Sequence, residues 1–439
     1  MVFLGPEATS REKRDKLTAS APAVRARLHP ALGTLLLLLA LNLLNYIDRY
    51  ILPGELSLIQ REFHSTDQQM GALTTALFLC YMFAAPLSGW LGNRLPRKPL
   101  IIGGAVLWSL ATLATAWVHD YWTLYFRHAL VGIGEATFGI FAPAVLADFY
   151  PERERNRILS IFYIAIPVGA ALGYIAGGQL GSLLGWRQPF FLCAIPGLVI
   201  AALYGWLGKE PQRGACDHLP ATRDRATFAG LFTNAPFLTA TFGLATLTFA
   251  MGGISAWVPE FLRRDAGLSV GASSQVVGAI TVVDGLLATV VGGWIAHRWL
   301  RTNHRALYLL SFWSVALTLP FGLVLFFGPP KWAVPSLAAA EFFLFLNTGP
   351  LNAAILNAVS GEVRAAAVGL NLFIIHCFGD TFSPQIIGAI SDRATLRIGL
   401  GTTLIALVAS CTLLLAGARV APRLDDDDED DPEPAESCA

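Results

Sequence analysis

The stretch that decides the fold is "ALGTLLLLLALNLLNYIDRYILPG", residues 31–54. It opens as an unbroken apolar run, long enough to cross a bilayer core, which takes about 20 residues. Asp48 is the eighteenth residue from Ala31, and Arg49 follows it directly. Two charges at this depth are costly, about 2.5–3.5 kcal/mol each at mid-bilayer, so such residues face a protein interior or a wet cavity and seek partners. The run exceeds the ~7–15 residues of a signal-peptide core and no small-residue cleavage site follows it, so it reads as a retained first span.

The rest of the chain agrees with lipid as the solvent. Of 439 residues, 54% are hydrophobic and 14% charged, against roughly 25% charged in soluble chains. The formal net charge is zero, which gives no footing for nucleic acid. Six cysteines are scattered without a CxxC pair and read as small apolar fillers.

Twelve segments qualify as spans, at about 31–53, 69–91, 99–118, 122–148, 157–184, 189–208, 229–262, 273–298, 305–327, 332–358, 365–391 and 398–418. The third and fourth are separated only by "HDYW". An even number places both termini on one side. That side carries 22 of the 31 Lys and Arg residues, the opposite loops carry 7, and Arg49 and Arg127 lie within spans. Basic loops stay in the cytoplasm, so both termini are expected there. The organisation expected is a cytoplasmic segment at 1–28, a six-helix bundle at 29–208, a cytoplasmic linker at 209–228, a second bundle at 229–420 and an acidic tail at 421–439, too charged to fold.

The two bundles read as copies. "GWLGNR" at 89–94 recurs as "GWIAHR" at 293–298, and Pro143 and Arg157 recur as Pro350 and Arg364, 207 residues on. Parallel repeats of six spans are related by an axis along the membrane normal, with a binding site between them near mid-depth.

The intramembrane charges are Asp48, Arg49, Arg127, Glu135, Asp284, Glu341 and Asp380. Adjacent residues point about 100° apart on a helix, so Asp48 and Arg49 cannot both face one partner. Arg49 and Arg127 either face a cavity or snorkel to an interface. Shifted by the repeat, the charges of the first half land on uncharged residues, so ion chemistry is expected mainly there. Aromatics and an amide, among them Trp257, Phe345 and Asn347, would form the facing wall. Such a cavity suits an amphipathic anion or zwitterion. The same aromatics also serve as ordinary helix packing.

At this point the residues resemble a known family. "GWLGNRLPRK" (89–98) resembles the cytoplasmic gate of the major facilitator superfamily. "NYIDRY" (45–50), "GIGEATFGIFAPAVLADFY" (132–150), "IPVGAALGYIAGG" (166–178) and "GDTFSPQIIGAISD" (379–392) resemble its spinster-like subfamily. The resemblance implies an all-α membrane protein, twelve transmembrane helices in two pseudo-symmetric six-helix bundles, working by alternating access; a monomer is expected. It implies Asp48 as a protonation site, with Arg49 and Glu135 linked to coupling and head-group binding. From the residues themselves, Asp48 and Glu135 are expected to couple protons, and Arg49, Arg127, Tyr46, Trp257, Phe345 and Asn347 to bind substrate. Gly89, Asn93, Arg94, Arg97, Lys98 and Asp148 would form the cytoplasmic gate, the basic ones pairing with Asp148, Glu152 or Glu154. The family usually has Asp where this chain has Asn93, and Pro96 is a further departure. A weaker lock on the outward-open state is expected, tested by the effect of Asn93→Asp on transport and on the inward/outward population.

The expected function is proton-coupled transport of a lysophospholipid or sphingosine-phosphate type of lipid. Arg49 would pair with Asp48 until a substrate anion takes it, leaving the acid free to bind a proton, and Glu135 would pair with Arg127. Burial favours a neutral acid and a neighbouring guanidinium an ionised one. Two alternatives stay open: a proton-coupled polar organic-anion or drug transporter, and a non-transporting membrane lipid receptor. No HExxH, GxSxG or P-loop lysine is present, so no enzyme, cofactor or metal centre is expected. Short loops favour a bacterial inner membrane.

Overall fold

The computed structural model describes residues 21–92, 94–150, 152–213, 228–359 and 363–422. Among them are twelve helical segments long and apolar enough to cross a membrane: α1 (Ala31–Phe63), α2 (Asp67–Gly92), α3 (Arg97–Trp117), α4 (Tyr121–Phe149), α5 (Arg157–Leu184), α6 (Arg187–Leu207), α7 (Ala235–Asp265), α8 (Val270–Leu300), α9 (Ala306–Phe327), α10 (Pro330–Asn357), α11 (Ala366–Arg393) and α12 (Leu396–Val420). No strand occurs among the described residues. An even number of spans puts both described ends on one face of the bundle, the terminal face below; the opposite side is the far face.

The α3–α4 boundary has a local cause. The Asp120 side chain accepts the backbone N–H of Thr123 at 2.9 Å, a helix N-cap that satisfies one of the four orphan donors of a first turn. At the first span the helix runs on past the expected end near residue 53, through Pro53 and Gly54, to Phe63. Its backbone leaves the helical region only at Glu55 (φ −126°, ψ 18°).

The two halves meet along two seams, α2 against α11 and α5 against α8. Glycines set the closeness of both. A side-chain carbon on Gly71 would stand 2.2 Å from the Pro384 carbonyl oxygen, and one on Gly278 would stand 2.8 Å from that of Ala171. Further along, Gly388 packs on the Asp67 backbone and Gly178 on Ser274. Residues 71 and 278, and residues 67 and 274, are each 207 apart, so the seams are copies of one another. α5 and α11 also share a distortion, a π-helical turn at Ala176–Leu180 and at His376–Asp380. Such turns re-aim side chains within a helix, and here both sit at the seams.

Candidate functional site

α1 delivers its two adjacent charges to different neighbours. Asp48 turns to α3 and accepts a hydrogen bond from the Thr112 hydroxyl. Arg49 turns to α4, where its Nε and Nη2 donate to Glu135 Oε2 at 3.1 and 2.5 Å. Its guanidinium also packs on the rings of Tyr46, Phe78 and Tyr81, 5.1, 5.2 and 5.7 Å from their centres. Such cation–π contacts gain strength where water is excluded. Neither expected pair forms. Arg49 does not take Asp48, and Arg127 does not take Glu135. Glu135 and Arg127 are eight residues apart on α4, about 12 Å along the axis, and only Glu135 sits at Arg49's level. Arg127 donates instead to the Ala111 carbonyl at 3.3 Å and packs against His128 and the Phe190 ring. A void of about 20 Å³ lies among Asp48, Arg49, Arg127 and His128, room for one water.

Between the halves is a cavity of about 280 Å³. Arg49, Tyr50 and Tyr174 line it from one half; Thr281, Glu341, Phe345 and Asp380 line it from the other. The second wall is thus not confined to aromatics and amides. Glu341 accepts from the Thr281 hydroxyl at 3.1 Å, and Asp380 Oδ1 lies 2.9 Å from His376 Nδ1. The His376 ring stacks on Phe78, which also carries Arg49 on its other contacts. A cation on one wall and two acids on the other can hold both ends of a zwitterion.

Phe345 lines the cavity, but Trp257 and Asn347 are packed away from it. Trp257 is 0% exposed and donates its indole N–H to the Pro384 carbonyl at 2.8 Å. Asn347 donates to Ser314 Oγ and the Leu344 carbonyl at 3.2 and 3.0 Å. Tyr46 reaches the site only through the face it offers Arg49.

Towards the far face the cavity is sealed. Tyr174 donates to the Ser255 carbonyl and Ser274 to that of Gly54, each at 2.7 Å. At the rim Arg264 grips both oxygens of Asp67 at 2.6 and 2.7 Å, and Ser391 and Gln60 add bonds of 2.5 and 2.6 Å. Asp392 accepts the backbone N–H groups of Asp67 and Gln68 at 2.8 and 2.9 Å, so α11 caps the first turn of α2, where a carboxylate also meets the favourable end of the helix dipole. These hydrogen bonds between the halves, together with those of Thr75 to the Thr381 carbonyl and of Gln179 to Gln275, lie between the cavity and the far face.

On the terminal face, Arg97 pairs with Asp148, and Glu210 accepts the backbone N–H groups of Arg97 and Lys98 at 2.6 and 3.1 Å. Sequence reasoning missed Glu210, whose place at the start of the linker gave no sign that it folds back as a helix cap. Lys98 Nζ donates to the Gly208 carbonyl at 2.8 Å. Arg94 lies over the Trp90 ring at 3.9 Å, and its repeat copy Arg298 over Trp294 at 5.8 Å. A side-chain carbon on Gly89 would meet nothing within 4 Å. Asn93 lies outside the described residues, as do the tail beyond residue 422 and most of the linker.

The sequence profile of the Major Facilitator Superfamily matches residues 38–384. Human protein spinster homolog 1 is 33% identical over 416 residues, covering 88% of this chain and 77% of that protein. A Xenopus tropicalis protein called sphingosine-1-phosphate transporter SPNS2 is 30% identical over 368 residues, covering 80% and 72%. Among solved structures, a bacterial homolog of the human lysosomal transporter spinster, inward-facing and unoccupied, superposes with a TM-score of 0.78 at 21% identity, over 89% of this chain and 97% of that one. Twelve spans, two seams built from repeated glycines and these relatives converge: the chain belongs to the spinster-like subfamily of the Major Facilitator Superfamily.

Proposed function

We propose that this transporter moves an amphipathic zwitterionic or anionic lipid, of the lysophospholipid or sphingosine-phosphate type, in exchange for or together with protons. The supporting observation is the two-signed cavity: Arg49 on one wall, Glu341 and Asp380 on the other, with Phe345 and Tyr50 between. A phosphate is matched by a guanidinium, which offers several donors in a fixed plane. An amine at the other end of the headgroup is matched by the carboxylates. The acyl chain needs the apolar remainder.

Coupling follows from the observed pair. A substrate phosphate that takes Arg49 displaces Glu135, which then sits buried and unpaired. A buried lone carboxylate is costly, so it binds a proton. Asp48, held by Thr112 and near Arg127, is the second acid of the same layer. The terminal face is then the cytoplasmic one, as its excess of basic residues implies, the sealed face is the outer one, and the protein works as a monomer in a bacterial inner membrane.

The test is uptake by the full chain in proteoliposomes. Expected are lysophosphatidylcholine or sphingosine-1-phosphate flux that rises with an imposed pH gradient, competition by lysolipids but not by soluble organic anions, and loss of the gradient response in Asp48→Asn. Competition by soluble anions alone would instead identify a polar organic-anion transporter, and binding without flux a receptor.

A further inference from the structure

α1 carries another acid beyond Asp48, and the site described above does not use it. Glu55 lies seven residues on, so both carboxyls share one face of α1, about 10 Å apart along its axis. Glu55 is 0% exposed, and neither of its carboxyl oxygens has a hydrogen-bond partner. Its backbone departs from the helix at this residue. The carboxyl is turned to α5, where its Oε2 stands 2.3 Å from the place a side-chain carbon on Gly181 would take. Gly181 thus leaves the room that the acid fills, and brings no titratable group.

Arg127 of α4 is the cation whose field reaches both Glu55 and Asp48, although its own hydrogen bonds go to the Ala111 carbonyl and His128. His128 lies beside it, its ring nitrogen 3.0 Å from Arg127 Nη2. Arg127 Nε has no partner. A purely structural role gives little account of this arrangement. A buried polar group gains nothing for the fold unless it is bonded, and an unbonded one costs several kcal/mol. One cation serves two acids, so an excess negative charge remains in a dry layer unless one acid holds a proton.

We propose that Glu55 is a second proton-binding site, which shares Arg127 with Asp48 and exchanges its proton with that residue on the way between the cavity and the far face. The step is a transfer alone: the Glu55 carboxyl gives up its proton and becomes the carboxylate, Asp48 gains it, and Arg127 follows the negative charge. The void beside Asp48 and Arg127 has room for one water at the Asp48 end of this path; one water does not span about 10 Å, so the proton passes in more than one hop. This inference rests on the proton-coupled reading, and its test is separable from it.

Infrared difference spectra of the full chain in vesicles read protonated carboxyl groups directly. Expected is a carboxyl band that disappears in Glu55→Gln, survives in Asp48→Asn, and shifts in Gly181→Ala, which presses on the carboxyl without removing an acid. In proteoliposomes loaded with lysophosphatidylcholine, Glu55→Gln should lose about tenfold of the gradient-driven uptake, while exchange without a gradient stays at the wild-type rate. Glu55→Asp should restore part of the gradient response. Spectra unchanged by both Glu55→Gln and Gly181→Ala overturn the proposal. If the wild type shows no gradient response, proton coupling itself fails, and the infrared band alone then decides whether Glu55 holds a proton.

Discussion

Arg49 on α1 reaches across to Glu135 on α4, both of its contacting nitrogens meeting one carboxylate oxygen at 3.1 and 2.5 Å, while the acid next to it in sequence bonds Thr112. The cation that faces the cavity is therefore already occupied by an internal anion. A substrate phosphate competes with Glu135, and a proton on Glu135 ends the competition. Binding of an anionic amphiphile should tighten as pH falls in the wild type. Glu135→Gln should bind about tenfold more tightly at neutral pH, which corresponds to about 1.4 kcal/mol, and should lose the pH dependence. Calorimetric titration with lysophosphatidic acid at several pH values checks this; equal or weaker binding by the variant contradicts it.

The opposite wall makes a separate prediction. Glu341 and Asp380 line the cavity across from Arg49, Glu341 bonded to the Thr281 hydroxyl and Asp380 beside His376. A hydrogen bond to a charged group is worth about 1.5–3 kcal/mol. Glu341→Gln should thus weaken binding of an amine-bearing lipid such as sphingosine-1-phosphate by about tenfold or more, and leave an amine-free lysophosphatidic acid nearly unaffected. Parallel titrations with the two lipids compare these directly. Equal losses for both would mean that Glu341 shapes the cavity without reading the headgroup.

Much of this arrangement was legible before any coordinates. A chain with so little charge exposes its spans by length alone, and a charged residue inside a span announces itself because lipid makes it expensive; Asp48, Glu135, Glu341 and Asp380 stood out for that reason. Partner choice was not legible. It depends on the rotation of each helix, and α1 and α4 are apolar nearly all round, so no polar stripe fixes which way Arg49 or Arg127 points. The same ambiguity placed Trp257 and Asn347 at the cavity when they pack between helices. Glu55 falls outside the expected first span, which ends near residue 53, whereas the helix continues to Phe63. The far-face cluster joins Asp67 to Arg264, Ser391 and Asp392, residues 197 to 325 positions away, and only the folded seams bring them together.

Those seams are testable through their glycines. A methyl group at Gly71 would stand 2.2 Å from the Pro384 carbonyl oxygen, a distance that backbone must yield to. Gly71→Ala should push α2 from α11 and favour opening of the far face. Gly89→Ala, on the same helix but with nothing within 4 Å of the added carbon, should leave the equilibrium unchanged. The reporter is a cysteine at Ser274, buried at the other seam, in a background with the remaining cysteines replaced. Its labelling by a membrane-impermeant thiol reagent should rise for Gly71→Ala alone. Matching rates in both variants would separate the glycine contacts from the conformational equilibrium.

At the rim, Asp67 binds Arg264 through both oxygens and is itself held by Ser391 and Gln60. Asp67 is buried but Arg264 is partly exposed, so the pair is weaker than a fully buried one, whose disruption costs about 3–5 kcal/mol; with solvent screening about 1–2 kcal/mol is expected. At about 1.4 kcal/mol per factor of ten, Asp67→Asn should raise far-face labelling of a cysteine at Ser274 about tenfold. Arg264→Gln should do the same, and the double variant should add little, because both changes remove one contact. Arg264→Lys should fall between, since an ammonium cannot meet both carboxylate oxygens in a fixed plane. Parental labelling rates in all of these variants would mean that the seam glycines and the Asp392 cap hold the far face shut without the ion pair, and that Asp67 serves only to start α2.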